Sequence, residues 1–225
     1  MASEKSSTAI NVSKVCQDLS KLHSPHGWQE VSNLLESFFG KNLTKRAKFL
    51  NAIMYAPGPF KHDPKLTDQK FHVLQGDVIS TNLANVPEPL LGYDDNTPSF
   101  FVVVPNSCLV QEKRLKQVLL ARLYEIKNTD KAMMSLMDQC LKMKSIKYFY
   151  MPPLEPQPND CIGNIALFPE VAYIRNDDLQ TATRIASLSE FGWYFFNFFL
   201  TVIFTKPSSD DRNIRKNSQA SFVEL

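Results

Sequence analysis

Residues 191–204, FGWYFFNFFLTVIF, are apolar on almost every side of any helix they could form. Such a helix has no face to give to water and must be enclosed, by the chain's own core or by another chain. A membrane span needs about 20 apolar residues. This run is shorter, contains Asn197 and ends at Lys206-Pro207, so it is read as a buried or interface helix and not as a transmembrane segment. The rest of the chain must therefore supply a core able to surround it. A chain of 225 residues, 44% of them hydrophobic, has the material for one such core. If the run instead meets a protein partner or a second copy, Trp193, Phe195, Phe196 and Phe199 are the rings that would make the contact.

Two textures precede this helix. The first is helical. Val12, Val15, Cys16, Leu19 and Leu22 recur at helical spacing, and after the break Ser24-Pro25-His26-Gly27 a second stripe runs through Trp28, Val31, Leu34, Leu35, Phe38 and Phe39 to Gly40. A third helix, with Thr44 read as its cap, carries Ala47, Leu50, Ile53 and Met54 and stops at Pro57. Beyond the Pro-rich link 57–69 the period shortens. Phe71–Leu74 and Val78-Ile79 read as strands around the turn Gln75-Gly76-Asp77. FFVVV at 100–104 reads as a buried strand, and Val118–Tyr124 as another. Thr129 or Asp130 caps a helix reaching about Lys144. Ile146–Tyr150, Ile165–Phe168 and Val171–Ile174 are further strands, and Ser187 or Ser189 opens the last helix.

Strands and helices mix without a regular βαβ alternation, which predicts an α+β fold with a mainly antiparallel core. The expected organisation is a flexible N-terminus at 1–10, a three-helix region at 11–56, an α+β core domain with two further helices at 57–206, and a flexible tail at 207–225. The first ten residues are polar and hold no signal-like apolar core, so the expected location is cytoplasmic.

Charge is unevenly placed. Residues 41–70 hold seven basic and two acidic side chains, and residues 111–150 hold nine and four. Residues 151–190 reverse the sign, with six acidic and two basic. Local excesses of this kind steer partners more than a net charge of +2 does. On the third helix, Lys41, Asn42, Lys45, Arg46, Lys48 and Asn51 supply phosphate and base-edge donors. A short helical array with a basic third member is what a helix-turn-helix reader of DNA or RNA requires. The competing reading is a solvated polar face on a packing helix.

Catalytic and metal signals are sparse. The seven glycines form no phosphate-cradling loop. Cysteines at 16, 108, 140 and 161 show no zinc half-site spacing and read as reduced, mostly buried thiols. The four histidines do not cluster at ligand spacing, so neither metal nor cofactor is expected. Cys108 would be a nucleophile only with a base nearby, His72 being the obvious one, and Asp77 after Gly76 is most simply a turn residue. On these residues an enzyme is the less favoured reading.

Between residues 71 and 126 the order is a Gly76-Asp77 turn into a strand, the strand FFVVV ending in Pro105-Asn106-Ser107-Cys108, and then VLLARLY. This layout resembles uncharacterised bacterial proteins with a Gly-Asp strand and an apolar strand ending in Ser-x-x-Cys-Asp. It also looks like the small SH3-like barrel of the MazF/PemK toxins, which are RNA endonucleases. The resemblance implies a bacterial, nucleic-acid-associated protein of regulatory, defence or toxin–antitoxin type. Leu109 stands where those proteins place Asp, and Pro98-Ser99 stand where the toxins carry an Arg. The alternative function, drawn from the aromatic helix, is a non-enzymatic interaction module working in a complex.

Overall fold

A computed structural model describes residues 32–33, 36–37, 41–56, 73–86, 99–111, 114–145, 147–155, 157–179 and 181–205. The first expected helix, most of the second and both expected tails lie outside these residues. The third is α1, Leu43–Ile53. Its cap is Asn42 and not Thr44, because the Asn42 side chain accepts the Lys45 N–H at 3.0 Å.

The core is one six-stranded antiparallel sheet: β1 Val78–Thr81, β2 Ser99–Val103, β3 Gln117–Lys127, β4 Tyr148–Met151, β5 Cys161–Arg175 and β6 Thr183–Ala186. Their order is β4-β5-β3-β2-β1-β6. Short helices α2, Ser107–Gln111, and α4, Asn176–Leu179, follow β2 and β5. The longer α3, Lys131–Leu141, joins β3 to β4, and α5, Glu190–Thr205, follows β6.

The sheet is open, which corrects the expected SH3-like barrel. Its edges are the four-residue strands β4 and β6, at opposite ends of the order and unpaired with each other. A barrel would bury its inner face against itself. Here that burial is done by the aromatic run, which is α5. Phe195, Phe196 and Phe199 are 5%, 0% and 1% exposed and meet Phe149 of β4 at ring separations of 5.3, 5.4 and 4.8 Å. Each such ring contributes about 1.5–3 kcal/mol of burial, with more from tilted ring contacts. Val78, Val102 and Ala121, paired across β1, β2 and β3, lie on this helix-covered face. The opposite face carries a smaller apolar cluster around Ile79, Phe101, Val103, Leu120 and Ala172.

Two expected strands are one. Residues 165–168 and 171–174 belong to β5, kinked where Ala121 pairs with Val171 but Arg122 pairs with Leu167. Phe168, Pro169 and Glu170 are left over in a bulge. Pro169 has no N–H to give the ladder, which suits it to that place. The bulge sends Phe168 against Phe196 and Phe199 of α5 and brings Glu170 to the Tyr124 hydroxyl. Among the described residues no helix is long and apolar enough to cross a membrane.

Candidate nucleic-acid interface

The basic stretch on α1 and the basic stretch around α3 meet. An open groove of about 760 Å³ is lined by Ser32, Glu36, Lys41, Leu43, Arg46, Lys142, Met143 and Lys144. Four of these are cations and one is a carboxylate. Half of the cations come from each of two stretches that are distant in sequence.

Arg46 joins the two sides. It is 4% exposed and its Nη1 donates to the Leu141 carbonyl at the end of α3. Burial lowers the Arg46 guanidinium from its ordinary value, while the Glu36 carboxylate pushes it back up. The remaining carbonyls at that helix end are also taken. Lys142 N–H bonds Asp138 at 2.9 Å, Met143 N–H bonds Cys140 at 2.9 Å, and Lys144 N–H bonds Gln139 at 2.9 Å. This is a Schellman closure, in which the left-handed position usually belongs to Gly. Met143 occupies it with φ 55° and is itself 5% exposed. Its side chain is held by the core, which offsets the cost of order 1 kcal/mol for a non-Gly residue in this conformation.

The consequence is electrostatic. A helix C-terminus carries roughly half a negative charge and would repel an anion. Here its carbonyls are covered by N–H groups and by a guanidinium. The ammonium groups of Lys41, Lys142 and Lys144 are exposed on the rim. Lys142 also lies 3.8 Å from Asp138, a half-exposed pair of the kind that contributes little. The groove can therefore hold a polyanion, with mobile positive charges above a neutralised helix end.

The other residues singled out on α1 divide. Lys45 and Lys48 are exposed. The Asn42 oxygen caps the helix, and the Asn51 oxygen accepts the Tyr150 hydroxyl at 2.6 Å. The polar side of α1 is thus partly internal scaffolding, not a free reading face.

The Gly-Asp turn and the Ser107 segment do come together. Gly76 takes φ 83° in the turn, and the Gln75 N–H donates to Ser107 Oγ at 2.9 Å. Asp77 is 1% exposed; its carboxylate accepts the Leu74 N–H at 2.9 Å and the Ser187 hydroxyl, and pairs with Arg184 at 3.3 Å. Burial raises the Asp77 carboxyl above its ordinary value, opposed by the Leu74 N–H, Ser187 and Arg184. This buried carboxylate ties the turn to the segment after β6. His72 and the Cys108 side chain lie outside the described residues. Burial pushes Cys140 up to about 12 and raises Cys161 as well, so neither thiol is poised as a nucleophile.

The rings proposed for a partner are mostly internal. Phe195, Phe196 and Phe199 belong to the chain's own core, and Trp193 at 40% exposure is the member left on the surface. Sequence reasoning missed one cluster, in which Tyr124 donates to Glu170 and the Arg122 guanidinium stacks 4.8 Å from the Tyr124 ring. The bulge at Pro169 that creates it left only a weak sequence signal, a proline between two apolar runs. No protein-family model matches the chain, and no curated protein matches it.

Proposed function

We propose that the chain is a nucleic-acid-associated protein that holds a phosphate backbone in the groove between α1 and the end of α3. The observation that carries this reading is the convergence of Lys41 with Lys142 and Lys144 around one groove, above the buried guanidinium of Arg46. Isolated surface lysines are ordinary. Two basic stretches folded onto one groove, over a helix end whose negative pole is covered, form a local positive field. The biological setting that goes with this reading is a bacterial regulator or a defence or toxin–antitoxin component. Catalysis is no part of it.

Fluorescence anisotropy with a labelled 20-mer duplex at low salt tests it. The intact protein should bind and lose affinity steeply as salt rises. Reversal of Lys41, Lys142 and Lys144 to Glu together should weaken binding by about 100-fold or more, since each lost phosphate contact is replaced by repulsion. Equal binding by that variant would refute the reading, as would no binding by the intact protein.

A further inference from the structure

We infer that this groove takes RNA in preference to DNA, with the Glu36 carboxylate accepting a 2′-hydroxyl of the strand whose phosphates the lysines hold. This rests on the nucleic-acid reading above and names its ligand. The starting point is a mismatch of charge. Lys41, Lys142 and Lys144 are exposed around the groove and suit phosphate oxygens. Glu36 lines the same groove and is half-buried. An ionised carboxylate only accepts hydrogen bonds. A phosphodiester also only accepts, and the sugar of a DNA strand adds no donor beside it. A DNA backbone drawn in by the lysines therefore meets Glu36 as repulsion. An RNA backbone carries a hydroxyl donor on every sugar, next to the phosphate. That hydroxyl gives a carboxylate set among cations a group to bind, in a hydrogen bond strengthened by the charge.

Depth separates the two charges. The Arg46 guanidinium is 4% exposed, and Glu36 is near enough to push it up against the effect of burial. The carboxylate thus sits toward the buried arginine, and the ammonium groups stand exposed at the rim. Attraction at the rim and repulsion from Glu36 both turn the phosphates outward and the sugar edge inward. Ser32, four residues before Glu36, lines the groove as well, and its hydroxyl can donate or accept in the same contact. Dinucleotide sites divide the work in this way, with one part holding phosphate and an acidic side chain bonding the ribose 2′-hydroxyl.

The test is fluorescence anisotropy on the full chain at low salt. The probes are labelled strands of about 20 nucleotides and one sequence, as DNA, RNA and 2′-fluoro RNA, each single-stranded and as a duplex. The fluoro sugar keeps the pucker of ribose but has no donor. In whichever form binds more tightly, RNA should exceed DNA by about tenfold, the low end for one hydrogen bond to a charged group. The 2′-fluoro RNA should bind about as weakly as DNA. Glu36→Ala should close the gap from both sides, weakening RNA and strengthening DNA by about threefold each. Glu36→Gln keeps an acceptor without the charge, so it should strengthen DNA and retain part of the preference. Equal binding of RNA and DNA by the parent overturns the inference and leaves the nucleic-acid reading standing. So does 2′-fluoro RNA that binds as tightly as RNA, or a preference untouched by Glu36→Ala. The fluoro comparison needs only the parent protein, so it decides the matter even where a variant fails to fold. Absence of binding to every probe at low salt removes that reading and this inference together.

Discussion

The Arg46 guanidinium donates to the carbonyl oxygen of Leu141, 95 residues further along the chain. That bond fixes α1 against the end of α3 and so sets the distance between the two basic stretches. Arg46 also covers a carbonyl that would otherwise be left at a partly buried helix terminus. Replacing it with Ala removes a charged hydrogen bond and the packing of a long buried stem. Urea denaturation of Arg46→Ala should show a loss of about 2–3 kcal/mol. Arg46→Lys should recover only part of it, because a flexible ammonium does not reproduce the planar fork. A variant as stable as the parent would mean that the contact with Leu141 does not hold the helices together.

Asn42 separates two roles that look alike in sequence. As a base reader its removal would lower affinity for nucleic acid; as a cap its removal lowers stability. The 3.0 Å bond to the Lys45 N–H makes it a cap. Asn42→Ala should cost about 1 kcal/mol in denaturation. Asn42→Asp should keep the cap and retain most of that stability. If Asn42→Ala changed affinity more than stability, the assignment would be reversed.

The strands could be read in advance where apolar runs were dense. FFVVV became β2 and VLLARLY became the centre of β3, since a buried strand needs nothing but hydrophobic side chains on both faces. β6 was missed because Thr183–Ala186 is four residues long and opens with Thr and Arg. β5 was read as two strands because Pro169 interrupts it, and only pairing with β3 carries the ladder across the bulge. The barrel failed for a different reason. A local order of turn and strands does not say whether the sheet closes, and the long aromatic helix offered a better cover for its inner face. Of the candidate groove, each half was visible as a charge excess, but their meeting was not. Arg46 and Asn51 looked like members of a solvated face, and nothing near them in sequence names Leu141 or Tyr150 as their partners. The end of α3 gave no warning either, since a left-handed position is announced by Gly and here is held by Met143.

Asp77 makes stability depend on pH in a particular direction. Its carboxyl is raised above 3.8 in the folded protein, chiefly by burial. The folded state therefore holds this proton more tightly than the unfolded state does. With more protons bound to the native form, stability falls as pH rises through the window from about 3.8 to the raised folded value. Asp77→Asn has no such proton. The stability of the parent relative to Asp77→Asn should thus decline with rising pH across that window and level off above it. The mutant should also be weaker at neutral pH, by about 3 kcal/mol, because Arg184 loses its buried counter-charge. Urea titrations of both proteins between acid and neutral pH measure the difference. A difference that grew with rising pH in that window would show that Arg184 and Ser187 outweigh burial.

Gly192 places α5 against the end of α1 at backbone distance. A Cβ there would lie 2.2 Å from the Met54 carbonyl oxygen and 3.2 Å from Leu188 Cδ2. The same oxygen accepts the Ser189 N–H at 2.8 Å, while the Ser189 hydroxyl donates to the Ile53 carbonyl and Tyr55 bridges to Leu188. The last turn of α1 is thereby tied to the first turn of α5, and the Met54 carbonyl, held by the Ser189 N–H, cannot step aside cheaply. In an exposed helix, Gly→Ala stabilises by about 1 kcal/mol. Here the sign should reverse. Gly192→Ala must push α1 away from α5, lengthening the Ser189–Met54 bond and opening the aromatic packing beneath Phe191, for a net loss of about 1–3 kcal/mol. Thermal unfolding monitored by circular dichroism reads this directly. A higher midpoint for Gly192→Ala would show that α1 and α5 do not approach this closely.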